Sequence, residues 1–134
     1  MNSYMGEGAF SLSSAYKLFK KISDITDPTP SHAFVFTDER EDSINDGLLW
    51  IDMSGFDPVD PTLYRIVDFP ADWHNRGANL SFVDGHTETW RWHDPRTMPL
   101  HRPGNVMPLN VASPDNPDVA RIQAATSRRI VQGN

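Results

Sequence analysis

The stretch WHNRGANLSFVDGHTETWRW, residues 73–92, decides the fold of this chain. Two runs in which apolar and polar residues alternate, 79–83 and 86–92, flank the pair Asp84-Gly85. Asp-Gly is a favoured pair for a type I′ turn, whose backbone twist matches that of two antiparallel strands. The stretch therefore predicts a β-hairpin that is closed by a two-residue loop.

A two-residue loop also predicts the register of the hairpin. Val83 then lies opposite His86, and Ser81 lies opposite Glu88. Because side chains alternate along a strand, each strand contributes every second residue to a given face. One face is predicted to carry His86, Glu88, Trp90 and Trp92. The opposite face is predicted to carry Leu80, Phe82, Thr87 and Thr89.

Outward from the hairpin, the chain predicts further strands and a helix near each end. Runs of aromatic and β-branched residues predict strands at 32–39, 48–53 and 64–69. Residues 13–25 predict a short amphipathic helix. Asn116, Pro117 and Asp118 form the cap and first turn of a second helix. Together these elements indicate an α+β fold, with an antiparallel sheet of four to five strands and short helices at the ends.

Length and composition limit the class of protein. With 134 residues the chain is one domain, with a sheet core at 32–92 and a Pro-rich extension at 93–134 that ends in the second helix. The net charge of -6 argues against nucleic acid as a partner. No apolar run is long enough to span a membrane. The absence of cysteine excludes disulfides and thiolate metal sites.

An acidic loop follows the first predicted strand. Its oxygen-bearing side chains are Asp38, Glu39, Glu41, Asp42, Asn45 and Asp46. Ca²⁺ takes six to eight oxygen ligands, so such a loop can bind this ion. The candidate metal ligands are Asp38, Glu39, Asp42 and Asp46. The alternative is a solvated loop whose carboxylates cap turns.

A second group with possible chemistry consists of His74, Asp84, His86 and Glu88. Imidazole and carboxylate side chains can together hold Zn²⁺ or another transition metal. In the alternative interpretation, Asp84 and Gly85 serve only the turn, and His74 bonds to a backbone group that fixes the preceding loop. The residues alone leave both interpretations open.

The four tryptophans offer a third candidate feature. They are Trp50, Trp73, Trp90 and Trp92. An exposed Trp on a sheet can stack on a sugar, but Trp more often packs in a core or interface. We interpret these residues as core or interface, with a carbohydrate-binding surface at Trp90 and Trp92 as an alternative.

Two of these patterns together resemble a known family. His74 is followed, after nine residues, by Asp84-Gly85, and the segment PSHAFVFTDEREDSINDG lies upstream at residues 30–47. Residues 30–99 thereby resemble the prepilin-type, processing-associated domain of type IV pilin-like and pseudopilin-like proteins. The resemblance implies a pilin-like globular head, secreted to the bacterial cell surface or periplasm. It also implies a role in assembly or surface interaction, and some pseudopilin heads bind calcium.

The sequence departs from that family at its N-terminal end. The family's cleavable leader and long apolar helix do not precede the head, and no signal peptide pattern follows Met1. In the family this helix packs against the sheet. We therefore expect a protein partner, or self-association, to cover the sheet face that is left without it.

The second functional hypothesis is a small metal-dependent hydrolase. A Ca²⁺ or Zn²⁺ ion beside His86 would activate water for attack on an ester or lactone. His74 or His86 would act as the general base, and Asp84 or Glu88 would orient that base or hold the metal.

Overall fold

The computed structural model describes residues 1–6, 13–101, 104 and 107–132, which form a mixed fold of antiparallel strands and one α-helix. The strands are β1 (Phe34–Thr37), β2 (Arg65–Ile66), β3 (Gly77–Phe82), β4 (Thr87–Arg91) and β5 (Val111–Ala112). The helix is α1 (Pro117–Ala124), and single 3-10 turns lie at Ile22–Asp24, Pro61–Leu63 and Pro95–Thr97. β1, β3 and β4 form one sheet in the order β1-β3-β4, and β2 pairs with β5 in another. The strands are therefore divided between two sheets, whereas the sequence predicted a single sheet.

The hairpin forms where the sequence predicts it, but its register differs by one residue. Leu80 pairs with Glu88, and the backbone N–H of Phe82 donates to His86 O at 2.9 Å. The loop therefore has three residues and ends at Gly85, whose φ is +92°. A turn followed by glycine in the left-handed region is the common three-residue hairpin loop, and an Asp-Gly pair suits it as well as type I′. The predicted two-residue loop is wrong for this reason.

The observed register changes which residues share a face. His86, Glu88, Trp90 and Trp92 lie on one side of β4, as predicted, but their cross-strand neighbours are Leu80 and Phe82. The His86 ring stacks on Phe82 with 4.5 Å between ring centroids. The opposite, outer face carries the small polar residues Asn79, Ser81, Thr87 and Thr89.

The inner face of the three-stranded sheet is covered by the chain itself. Trp90 and Trp92 are 6% and 2% exposed, which confirms them as core residues. They cluster with Ile122 of α1 and with Leu49, Ile51 and Met53, which precede β2. The sheet face that we expected a partner or a second copy to cover is thus packed in part against α1 and the 49–53 segment, while the side chains of His86 and Glu88 near the turn are 39% and 43% exposed.

The N-terminal helix predicted at 13–25 is absent from the structure. The backbone N–H of Lys17 donates to Arg128 O at 3.0 Å, and that of Phe19 donates to Tyr4 O at 2.8 Å. Within 13–25, a 3-10 turn at Ile22–Asp24 is the helical element that forms. Hydrogen bonds to distant segments replace the local bonds of a helix, so the apolar spacing that suggested one was misleading.

The predicted strand at 48–53 is also wrong. Its pairing is limited to a bridge between Leu49 and Asn2, and the N–H of Trp50 donates to the carboxylate of Asp68 at 2.7 Å. Leu49, Ile51 and Met53 are nevertheless buried, because the segment is extended and every second side chain enters the core. The strand predicted at 64–69 shortens to β2.

The C-terminal helix begins as predicted. The Asn116 side chain accepts a hydrogen bond from Asp118 N at 2.9 Å, and Pro117 occupies the first turn. Asp118 is buried and accepts hydrogen bonds from the backbone N–H groups of His93 and Asp94, which attaches the 93–98 segment to α1. In the described part of the chain, no helix has the length and apolar character that crossing a membrane would require.

Candidate functional site

His74 and Asp38 join the end of β1 to the start of β3. His74 Nε2 lies 3.0 Å from Asp38 Oδ2, and Asp38 Oδ1 accepts a hydrogen bond from Asn79 N at 3.2 Å. The side chains of His74 and Asp38 are 44% and 39% exposed. We call this pair the His74–Asp38 clasp. The ring of His74 thus bonds to a side chain, whereas the alternative interpretation of the sequence gave it a backbone partner.

Tight backbone geometry positions the clasp. Asn75 and Arg76 have φ values of 53° and 64°, so the chain reverses between His74 and β3. The N–H of His74 then donates to Gly77 O at 3.1 Å. A Cβ on Gly77 would lie 2.1 Å from Trp90 O, so only glycine allows this approach of β3 to β4.

The two residues of the His-nine-Asp-Gly pattern do not meet. His74 precedes β3 and Asp84 follows it, so a strand of six residues separates them. At about 3.3 Å per residue this strand spans about 20 Å. The predicted group of His74 with His86, Asp84 and Glu88 is therefore split between the two ends of the strand.

The remaining three members of that group lie together at the hairpin turn. His86 Nδ1 contacts Asp84 Oδ1, and His86 Nε2 lies 2.7 Å from Glu88 Oε2. Glu88 also accepts a hydrogen bond from Trp90 Nε1 at 3.2 Å. The sequence indicated the proximity of these residues, since alternation places His86 and Glu88 on one face.

The carboxylates on both sides of His86 favour its charged form. The hydrogen bond to Asp84, and then that to Glu88, raises the pKa of His86. The bond to His86 in turn lowers the pKa of Asp84 and that of Glu88. A protonated imidazole has no free nitrogen lone pair for a metal ion or for a proton, so this arrangement suits an ion pair better than a general base.

In the acidic loop, each predicted metal ligand has its own partner. Asp38 belongs to the clasp, Glu39 accepts from Ser43 Oγ at 2.7 Å, and Asp46 accepts from Leu48 N at 2.7 Å. Two bonds from Arg40, of 3.0 and 2.8 Å, bind Asp42. Over residues 1–6, 13–101, 104 and 107–132, no three His, Asp or Glu side chains are grouped as metal ligands would be.

Three residues near this loop were not identified from the sequence. Arg40 is fully buried between Asp42 and the carbonyl of Pro99, with its guanidinium 5.9 Å from the Trp73 ring centroid. His101 contacts Trp73 edge to face, with 5.6 Å between ring centroids. The third residue is Asp68, which accepts a hydrogen bond from Trp50 N. Apart from the bond between Arg40 and Asp42, these contacts join residues that are far apart in sequence, and no local pattern predicts them.

Burial perturbs two carboxyl groups in this region. It raises the pKa of Glu39 to about 7, with a further rise from nearby Asp68 and an opposing effect of the Ser43 hydrogen bond. It raises the pKa of Asp68 to about 6. Asp68 Oδ1 has no hydrogen-bond partner among the described residues. A cavity of about 20 Å³ borders Asp68 and Asp118, room for about one water molecule and not for an ester substrate.

Comparisons of this chain with protein-family models, with curated proteins and with solved structures found no match in any of the three.

Proposed function

We propose that this chain is the globular head of a pilin-like or pseudopilin-like protein that acts in assembly or surface interaction. The observation that supports this most is that the paired motif residues stabilise the sheet. His74 joins β1 to β3 through Asp38, and Asp84 and Gly85 close the β3–β4 turn. Links between the strands are the role that this proposal gives to the motif residues.

The arrangement of the polar groups also favours a non-catalytic role. His86 is held between two carboxylates, and its raised pKa favours the charged form. His74 is bound to Asp38 and lies at the other end of β3. General base catalysis needs an imidazole nitrogen with a free lone pair that can reach the reacting proton, which His86, bonded at both ring nitrogens to carboxylates, does not offer.

The test of this proposal is the cell fraction in which the protein is found and its accessibility to protease. We expect an epitope-tagged full chain in the periplasmic or sheared surface fraction, open to external protease after the outer layer is permeabilised. A cytosolic enzyme should mark the intact fraction as a control. Recovery of the tagged chain with that enzyme would contradict the proposal.

A metal-dependent esterase or lactonase is the alternative proposal, and the density of imidazole and carboxylate at the hairpin turn favours it. Purified protein would be screened on chromogenic esters and lactones with Ca²⁺, Zn²⁺ or chelator. If this alternative holds, chelator and His86→Ala each abolish turnover. The matched control is His32→Ala, which changes another exposed histidine that bonds to Thr29. Turnover that survives His86→Ala, or none at all, would reject it.

Ca²⁺ bound at Asp38, Glu39, Asp42 or Asp46 is the cofactor that we propose for the head. Scanning calorimetry would compare the melting temperature in about 1 mM Ca²⁺ with that in a chelator. A ligand that binds the folded state raises the melting temperature. An unchanged melting temperature would reject the ion.

A further inference from the structure

One surface of the protein combines basic and exposed apolar side chains. It is built by two neighbouring segments, 15–22 and 128–131, which are joined by the bonds Lys17 N to Arg128 O (3.0 Å) and Ile130 N to Ala15 O (2.7 Å). Its basic side chains are Lys17, Lys20, Lys21, Arg128 and Arg129. Its exposed apolar side chains are Leu18, Ile22, Ile130 and Val131. We call this surface the basic–apolar patch.

The patch is unusual in so acidic a chain. It holds five of the twelve Lys and Arg residues of a protein with net charge -6. Ile22 and Val131 are 76% and 86% exposed, which leaves much of their apolar surface in water. Acidic residues also lie here, since Asp27 pairs with Arg128 at 2.9 Å and Arg129 donates a hydrogen bond to the backbone oxygen of Asp57 at 3.0 Å. Exposed apolar side chains that are grouped on two neighbouring segments, with polar residues around them, are typical of an interaction site.

A second surface has the complementary composition. The acidic loop carries the exposed carboxylates of Glu41 and Asp46, and exposed apolar side chains lie in it and beside it. Those apolar side chains are Ile44, Trp73 and Leu100. Glu41 is 72% exposed at its side chain and lies 3.0 Å from His101 Nε2, whereas Asp42 is 5% exposed and is paired with the buried Arg40. We call this surface the acidic–apolar patch. Among the described residues, no hydrogen bond or ion pair joins the two patches.

We propose that the basic–apolar patch of one copy of this chain binds the acidic–apolar patch of a second copy. Both patches offer apolar surface to bury and charges of opposite sign, which steer and orient two proteins as they associate. Because the two surfaces differ, the contact is heterologous and can be repeated head to tail. This inference rests on the proposed assembly function and names its partner.

A membrane surface is the competing partner for the basic–apolar patch. Anionic lipid attracts clustered Lys and Arg, and apolar side chains can insert among the headgroups. The acidic remainder of this chain would be repelled by such a surface. The acidic–apolar patch of a second copy would instead attract the basic–apolar patch. The charge distribution therefore favours self-association.

The test uses two charge-neutralising variants of the full chain. Lys20→Gln with Lys21→Gln removes two positive charges from the basic–apolar patch, and Glu41→Gln with Asp46→Asn removes two negative charges from the acidic–apolar patch. All four residues are exposed. Sedimentation velocity over a concentration series at low salt should show self-association of the wild type that weakens with salt. Each variant alone should associate about tenfold more weakly or not at all.

Mixing the two variants provides the decisive arm. The intact basic patch of one variant can bind the intact acidic patch of the other, but neither can extend the chain. An equimolar mixture should therefore form a 1:1 dimer and stop there. The control, Arg76→Gln with Arg91→Gln, also removes two charges, at two exposed arginines outside both patches, and it should associate as the wild type does.

Three results would overturn the inference. They are a wild type that stays monomeric, variants that associate like the wild type, and a mixture that forms no dimer. A monomer that sediments with vesicles of phosphatidylserine and phosphatidylcholine, and no longer does so in the Lys20→Gln, Lys21→Gln variant, would assign the patch to membranes and overturn the inference. If one of these results is obtained and the localisation experiment still places the chain at the cell surface, the further inference fails and the proposed function stands.

Discussion

At the scale of single residues, this protein uses its most reactive side chains to bind one another. His86 lies between Asp84 and Glu88, and His74 is paired with Asp38. Imidazole and carboxylate in one short stretch suggest catalysis when read as a list of residues. The partners of each side chain bear on its role, and here each of these imidazoles is bonded to carboxylates of the same chain.

Gly77 provides a residue-scale prediction. We expect Gly77→Ala to lower the free energy of unfolding by about 2 kcal/mol or more, because the added Cβ would meet Trp90 O and force two paired strands apart. Gly47→Ala is the matched control, since nothing lies within 4 Å of a Cβ built there. Urea unfolding measures both. Equal losses for the two variants would contradict the close approach of β3 to β4.

At the scale of elements, the sequence predicts those that are set by neighbouring residues. Asp84-Gly85 predicts the hairpin, and Asn116 with Pro117 predicts α1. Prediction from the sequence fails where partners distant in the chain determine the conformation. At 13–25, for example, the backbone N–H of Lys17 bonds to the carbonyl of Arg128 near the other end of the chain. The same reason hides the clasp, because nothing local to His74 predicts its contact with Asp38. Only the hairpin half of the candidate site was therefore foreseeable.

The register of the hairpin can be measured directly. Asn79 and Thr89 form a non-hydrogen-bonded pair, in which the two Cα atoms approach to about 4.5 Å. We therefore expect a strong nuclear Overhauser effect between the Hα protons of Asn79 and Thr89. A strong effect between Leu80 and Thr89 in its place would restore the two-residue loop and contradict the observed register.

The cap of α1 gives a second prediction for an element. Asn116→Ala should lower the free energy of unfolding by about 1–2 kcal/mol, because it removes the acceptor for Asp118 N. The same side chain donates to Thr97 Oγ1 and Ser113 Oγ at 3.0 Å, and it is fully buried. Asn116→Asp keeps the acceptor and loses these donors, so it separates the two roles. A change below about 0.3 kcal/mol in both variants would refute the cap.

At the scale of the whole molecule, composition hides how charge is distributed. A net charge of -6 suggests a uniformly acidic surface, yet five cationic side chains gather where the N-terminal and C-terminal segments meet. Two of the carboxyl groups, those of Glu39 and Asp68, are held away from water in the fold. The burial of Glu39 and Asp68 therefore links the stability of the fold to pH.

We predict that the fold is less stable at pH 8 than at pH 5.5. The pKa of Glu39 rises from 4.5 to about 7 on folding, and that of Asp68 rises from 3.8 to about 6. The folded state therefore binds more protons, and stability falls as pH rises from about 4 to about 7. The raised pKa of His86 acts in the same direction, since its contribution is lost as pH rises through the folded value.

Melting temperatures between pH 5 and 8 would check this prediction. Glu39→Gln and Asp68→Asn should each make the melting temperature depend less on pH. The control is Asp60→Asn, at an acid whose side chain accepts a hydrogen bond from Thr62 N, and it should leave the pH dependence unchanged. A melting temperature that is constant or rises with pH would show that neither carboxyl group is destabilised by burial.

The most direct test of a stabilising role for the motif is a double-mutant cycle at the His74–Asp38 clasp. His74→Ala, Asp38→Ala and the double variant would be unfolded in urea near pH 6. For this half-exposed pair we predict a coupling free energy of about 0.5–1 kcal/mol, because each single change already breaks the shared bond. Losses that simply add, with no coupling beyond about 0.3 kcal/mol, would contradict the clasp.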